Sequence, residues 1–413
     1  MEPFFPSSPS PGRSRRYFDW AATAIPTLPY PQSLNAFGNP SSLHYEGRYA
    51  RALLEDARAR CAAVLGLDPK QLYFTSGGTE SNALVLHSLA LRRPSPGILF
   101  SAVEHPSVRE NCLVLERLGK QIARIGVEQD GRVSPSRLER ALEKLEKLEK
   151  LEKKEPSGRR TEPRFAAIMG VNNETGSVMD IPGLVRLIRT RGGAPIHVHS
   201  DLVQAAGKVP LDIAAWDLDS ASISAHKLGG PRGMGLLYLR KPLEPLYTGG
   251  GQERGIRPGT ESIAGALALA SCLESRAVPE QLTLEYEKAA QRFIQLIRGL
   301  RTLPGCFLIP QDRGEADPRF SPYILQVGFK GIPGEVMVRA LDERGCAVST
   351  GSACSSAHAD RPVLTAMGLD KQASLAGIRI SQGWCTTQED ITSLLETIRE
   401  VLALFPGNPG QEG

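Results

Sequence analysis

Between Gln71 and Tyr238 short β-rich runs alternate with amphipathic stretches. Runs at 71–75, 97–101, 165–169, 196–199, 220–224 and 235–239 read as strands. The stretches 80–91, 106–118 and 181–191 between them are long enough for helices. This rhythm is that of a mostly parallel sheet covered by helices, an α/β fold. In such sheets ligands bind at the carboxyl ends of the strands, so polar residues just after each run are the candidates for function.

Beyond Glu261 the texture changes. Helical stretches at 263–276 and 282–300 lead into a mixed region and a helix at 388–404. The division expected is a large domain over 17–262 and a smaller α+β domain over 263–405, with the N-terminal segment packed against the latter. Residues 1–16 and 406–413 are expected to be disordered tails. Residues 142–163 form a charged insert in which Leu142, Leu145, Leu148 and Leu151 step by three. On a helix of 3.6 residues per turn that spacing drifts around the axis, so a solvated helical extension is expected.

Composition excludes several classes. No apolar run approaches the roughly 20 residues that span a bilayer. A net charge of +4 over 413 residues supports no direct nucleic-acid binding. Seven cysteines without paired spacing point to reduced thiols in a cytoplasmic compartment, and no CxxC suggests a metal site. An N-terminal organelle signal is left open by the arginines of the Pro/Ser-rich opening, which lacks the apolar core of a secretory signal.

Eight clusters carry chemistry. Thr75-Ser76-Gly77-Gly78-Thr79-Glu80 follows a strand and opens a helix, which suits an anion held by backbone amides and the helix dipole. Glu104-His105-Pro106 puts a histidine where it can stack on a flat ring or move a proton. Val171-Asn172-Asn173 offers side-chain amides at a strand end. His199-Ser200-Asp201, with Gln204 three residues on, puts a carboxylate where it can keep a ring nitrogen protonated. Ser224-Ala225-His226-Lys227-Leu228-Gly229-Gly230 ends a strand in a lysine suited to Schiff-base chemistry. The glycine-rich run from Gly249 to Thr260 includes arginines and a threonine suited to phosphate. Cys354 sits among small residues, as an accessible nucleophile would. Arg379, in a short strand pattern, suits a carboxylate. Each has an ordinary structural reading when taken alone; their company and order make the case.

Together with Tyr17-Phe18-Asp19-Trp20 and Gly38-Asn39-Pro40-Ser41-Ser42, these clusters resemble the NifS/IscS-type cysteine desulfurases. These are class V aminotransferase relatives among the fold type I enzymes that use pyridoxal 5'-phosphate. The resemblance runs from Tyr17 to about Leu404. It implies a mostly parallel seven-stranded sheet in the large domain. It also implies that Lys227 carries the cofactor covalently, Asp201 pairs with its pyridine nitrogen, Gln204 with its phenolic oxygen, and His105 lies on its ring. Gly78, Thr79, Ser224 and His226 would hold the phosphate, with Thr260 reaching over from the second subunit of a homodimer. Asn39, Asn173 and Arg379 would hold the substrate carboxylate. Cys354 would take sulfur from L-cysteine and pass it to an acceptor protein such as an iron–sulfur scaffold, or toward tRNA thiolation. Gln252 stands in a loop where a histidine is common, and the Gln-Glu-Arg-Gly-Ile-Arg-Pro-Gly-Thr form of that loop also resembles the selenocysteine lyases, the alternative to cysteine. An aminotransferase or an inactive acceptor-binding scaffold is the more distant reading.

Overall fold

The computed structural model describes residues 15–26, 37–90, 97–152, 164–191, 195–351 and 361–405. In chain order the first elements are β1 (Arg16–Tyr17), α1 (Tyr45–Leu65), β2 (Leu72–Thr75), α2 (Gly78–His87), β3 (Ile98–Ser101), α3 (Pro106–Arg117), β4 (Ile122–Ile125), α4 (Pro135–Glu152), β5 (Arg164–Ala167), α5 (Ile181–Thr190), β6 (Ile196–Asp201), β7 (Ser220–Ser224) and β8 (Gly235–Leu239). Seven of these strands form one sheet in the order β2-β8-β7-β6-β5-β3-β4. It is parallel except for β8, which runs against both β2 and β7. The central strands β6 and β7 are buried almost throughout, as strands covered on both faces must be.

The remaining elements are α6 (Ile263–Arg276), α7 (Pro279–Arg301), β9 (Cys306–Ile309), β10 (Ile324–Phe329), α8 (Gly334–Asp342), β11 (Cys346–Ala347), α9 (Pro362–Ala366), α10 (Lys371–Ala376), β12 (Gly377–Ser381) and α11 (Gln388–Leu402). An antiparallel sheet β12-β10-β9 packs with α7, α8 and α11 around a second core that includes Phe293, Leu325, Ile380 and Ile398. Phe18 belongs to this core, and β1 lies parallel to β11. The N-terminal segment thus joins the second core through its side chains while its backbone runs on toward the first sheet.

Three details depart from the sequence reading. The strand β4 was not among the expected runs: only Ala123 and Ile125 of its four residues are fully buried, so its pattern is too short to read. The Leu-Glu-Lys run is not wholly a solvated extension. It is continuous with a helix that starts at Pro135, and Leu142 and Leu145 lie in the first core beside Leu138 and Ala141. Leu142 and Leu145 are less than one turn apart, and with Leu138 they step by four and then three, a spacing that stays on one helix face. The expected N-terminal tail also reaches too far, because Arg16 opens β1 and Arg15 pairs with Asp342 at 2.5 Å.

Candidate active site

The carboxyl ends of β6 and β7 and the start of α2 and α3 converge with the segment that follows β1. After β7 a short 3-10 turn, Ala225–Lys227, brings Lys227 back over the sheet. Its Nζ donates to the carbonyls of Ala21 at 2.5 Å and Ala22 at 2.6 Å. Burial, helped by the positive charge of Arg379, lowers its pKa to about 7, against the opposing pull of Asp19 and Asp201. A lysine in this state is partly neutral at physiological pH, as a nucleophilic amine must be. Burial and the Lys227 charge likewise hold His226 down to about 4; its Nδ1 lies 3.3 Å from Thr23 Oγ1.

Asp201 closes β6 and is buried. Asn82 Nδ2 donates to its Oδ2 at 2.7 Å and the Val203 amide to its Oδ1 at 3.0 Å. The same Nδ2 reaches Ser107 Oγ at 2.8 Å, and that hydroxyl lies 2.8 Å from His105 Nδ1. The Ser107 amide also donates to Nδ1, at 3.1 Å, so this nitrogen accepts and the ring proton sits on Nε2. Behind the network, His199 Nε2 meets Asn82 Oδ1 at 2.8 Å. Asp201 and His105 are therefore tied together through two polar side chains. Burial lowers the pKa of His105, which keeps the ring neutral. Burial and the Asp201 charge push the neighbouring Glu104 carboxyl well above its usual range, which disfavours a second anion beside Asp201.

At the start of α2 the backbone is shaped for close approach. Gly77 has φ 153°, a value that L side chains rarely adopt, and a Cβ on Gly78 would stand 2.6 Å from Val203 Cγ2. The helix begins at Gly78, two residues before the run expected from sequence, so the first-turn amides of Gly78, Thr79 and Glu80 are the donors that a helix leaves over. Ser224 ends β7 close to the Gly77 backbone. The glycine-rich run is pinned: Arg257 Nε pairs with Glu80 Oε1 at 3.0 Å, and Glu253 is buried against Arg58. Thr260 is exposed and lines a small cleft with Thr75, Met234 and Arg257; no hydrogen bond joins it to the Lys227 cluster of its own chain among the described residues.

Arg379, 2% exposed in β12, faces this cluster from the second sheet. Its Nη2 donates to Asp19 Oδ1 at 2.6 Å and its Nη1 to the Asn173 carbonyl at 2.9 Å and the Gly351 carbonyl at 3.4 Å. Its Nε is buried and has no hydrogen-bond partner among the described residues. Asn173 thus meets Arg379 through its backbone carbonyl. The Asn172 amide is turned inward, where Oδ1 accepts from the Glu174 and Thr175 amides. Asn39 is exposed and its Oδ1 accepts from the Ser41 amide at 2.9 Å, with no hydrogen bond to Arg379. Cys354 lies outside the described residues. The flanks of its segment are placed: Arg361 Nη2 donates to the Thr350 carbonyl and pairs with Glu174 at 3.5 Å. Cys346 is buried with its Sγ 3.6 Å from Thr397 Oγ1, and burial raises its pKa, so it packs.

Sequence reasoning missed Asp19 as the partner of Arg379, Asn82 and Ser107 as the link between Asp201 and His105, and the Ala21 and Ala22 carbonyls. Asp19 stood inside a noted motif, but a backbone acceptor carries no sequence signal.

A class V aminotransferase family model matches residues 16–394. A NifS/IcsS protein homolog of Lactobacillus delbrueckii subsp. bulgaricus is 34% identical over 411 residues, covering 94% of this chain and 97% of that one. The cysteine desulfurase IscS of Dictyoglomus turgidum is 33% identical over 401 residues, covering 94% of each chain. A solved NifS-like protein superposes with a TM-score of 0.78 at 31% identity, covering 95% of this chain and all of its own.

Proposed function

Since this chain belongs to the class V aminotransferase family, and its relatives of about one-third identity over nearly their whole length include enzymes named cysteine desulfurase, we propose that it is a pyridoxal-phosphate-dependent cysteine desulfurase. The single observation that carries the reading is the buried Lys227 amine, held by the Ala21 and Ala22 carbonyls, its pKa lowered to about 7, within range of the charges of Asp201 and Arg379 and beside His105.

The residues present fit the cofactor. The Gly77–Gly78 turn leaves no room for a Cβ at Gly78 and opens a helix N-terminus toward the end of β7, a cradle of the kind that takes a phosphate. Gly78, Thr79, Ser224 and His226 would hold that group, with Thr260 supplied by the second subunit of a homodimer. Asp201 would pair with the pyridine nitrogen, Gln204 with the phenolic oxygen, and His105 would lie on the ring. When bound, pyridoxal phosphate supplies an electron sink for the charge left at a substrate's Cα.

The chain's own groups divide the remaining work. Lys227 holds the cofactor and, being able to gain or lose a proton near neutrality, moves a proton at Cα. Arg379, with its unpartnered Nε, orients the carboxylate of L-cysteine, helped by Asn173 and Asn39. The thiolate of Cys354 attacks the substrate sulfur: an S–S bond forms, the substrate Cβ–S bond breaks, and protonation at Cβ leaves alanine. The persulfide then passes to an acceptor protein, in iron–sulfur cluster assembly or tRNA thiolation.

The test is alanine and persulfide formation by the purified chain given L-cysteine or L-selenocysteine. Alanine from L-cysteine with one added sulfur on the Cys354 peptide is expected. Cys354→Ala should keep the visible absorbance of the cofactor and lose alanine release from L-cysteine. Full turnover by that variant would remove Cys354 as nucleophile, and alanine from selenocysteine alone would make the chain a lyase.

A further inference from the structure

Lys208 has no part in the chemistry above, yet it is 3% exposed. Burying an ammonium is costly unless something pairs with it. Among the described residues Lys208 makes no ion pair. Its one side-chain hydrogen bond runs 2.9 Å to Gln204 Oε1, four residues back. Gln204 Nε2 donates at 2.8 Å to the Ala21 carbonyl, the same oxygen that accepts from Lys227 Nζ.

The oxygen and nitrogen of a glutamine amide are nearly equal in shape, so a buried amide is turned by the donors and acceptors around it. Here those neighbours have opposite character. An ammonium only donates and a carbonyl only accepts. With the amide reversed, Nε2 would meet the Lys208 donors, Oε1 would meet the Ala21 oxygen, and both bonds would be lost. A buried donor left unpaired costs more than the bond itself contributed.

We propose that Lys208 is a positioning residue that locks the Gln204 amide with its N–H edge toward Lys227, so that the second Nε2 proton serves the cofactor's phenolic oxygen. This rests on the reading that the Lys227 cluster holds pyridoxal phosphate. The charged groups acting on Lys208 are Lys227 and Arg379, and with burial they lower its pKa to about 7. The lock is firmest below that pH, where the amine has no lone pair with which to accept.

The experiment is a pH titration of the visible cofactor absorbance in the full-length, cofactor-loaded protein. A hydrogen-bond donor on the phenolic oxygen favours its anionic form and lowers the titration midpoint. Lys208→Met, which keeps the length and removes the donors, should raise the midpoint by about one pH unit, the size of one charge-assisted hydrogen bond. Lys208→Leu is carried in parallel should the methionine not fold. Gln204→Ala should give the same rise, and the double variant should rise no further, because the effect of Lys208 passes through Gln204. Lys208→Arg, which only donates, should keep the wild-type midpoint. A wild-type midpoint in the folded, loaded Lys208→Met protein overturns the proposal, as does a full second shift in the double variant. A wild type that takes up no cofactor overturns the reading beneath it instead.

Discussion

Asn82 shows how much of the site is decided by one amide. Its Nδ2 spans Asp201 and Ser107, and its Oδ1 accepts a hydrogen bond from His199 Nε2. Replacing it by leucine leaves Asp201 buried without that donor, and a hydrogen bond to a charged group contributes about 1.5–3 kcal/mol. Asn82→Leu should therefore bind pyridoxal phosphate about tenfold or more weakly, read by titration of the cofactor-free protein. Unchanged affinity would mean that the Val203 amide alone holds Asp201. His199 adds a pH dependence. Burial lowers its pKa from 6.5 to about 3, so between those values the unfolded chain binds more protons than the folded one. Its contribution to stability is complete above pH 6.5 and is lost as pH falls toward 3. The urea midpoint of the cofactor-free protein should fall on going from pH 7 to 4.5, and His199→Gln should flatten that fall. Equal slopes would show that the acid sensitivity arises elsewhere.

The element that most needs explaining is the run from Gly249 to Thr260, which reads in sequence as a glycine-rich loop. Its fixed point is Glu253, which has φ 46° and a side chain buried against Arg58 of α1 at 2.7 Å. Glu253 Oε2 also accepts the Phe74 amide at 2.8 Å, which closes a hydrogen-bonding group on the edge strand β2. Arg58 Nη1 binds the Leu72 carbonyl at 2.9 Å. One buried pair thus joins a helix, a sheet edge and the loop that ends in Thr260. Arg58→Met leaves a carboxylate buried without its cation and should cost about 3–5 kcal/mol in urea unfolding. Arg58→Met with Glu253→Met should recover part of that loss. A single variant within 1 kcal/mol of wild type would show that the pair is not what holds the loop. This is also where sequence legibility ends. Strand runs, the strand-end lysine and the strand-end aspartate follow local patterns that a reader can see. Glu253 meeting Arg58 joins residues 195 positions apart, and neither stands in a pattern. Leu142 and Leu145 fail for the same reason: their burial depends on where α4 starts and what it packs against, not on their own spacing.

Across the whole molecule the segment from Arg16 to Ala24 serves both halves at once. Phe18, with no exposed surface, is in the second core, and β1 pairs with β11 there. A few residues on, the Ala21 and Ala22 carbonyls hold Lys227, the Ala24 amide bonds the His226 carbonyl at 2.8 Å, and Asp19 pairs with Arg379. A chain of this length with separate hydrophobic clusters in its two halves need not unfold in one step. A strap whose side chains are in one core and whose backbone holds the other core's lysine makes each depend on the other. Two signals can follow the two regions in the loaded protein: pulse alkylation of the Cys346 thiol, which is fully buried in the second core, read on its own peptide, and the absorbance of the cofactor proposed at Lys227. The two curves should coincide in urea. Phe18→Ala empties a fully buried aromatic site at a cost of about 3–5 kcal/mol. It loosens the strap from the second core, so the Cys346 labelling transition should move to lower urea and separate from the absorbance transition. Curves that are apart already in the wild type would mean that Lys227 is held without the strap. Curves that move together in Phe18→Ala would mean that contacts other than the strap, those of Arg379 with Asn173 and Gly351 first among them, suffice to couple the halves.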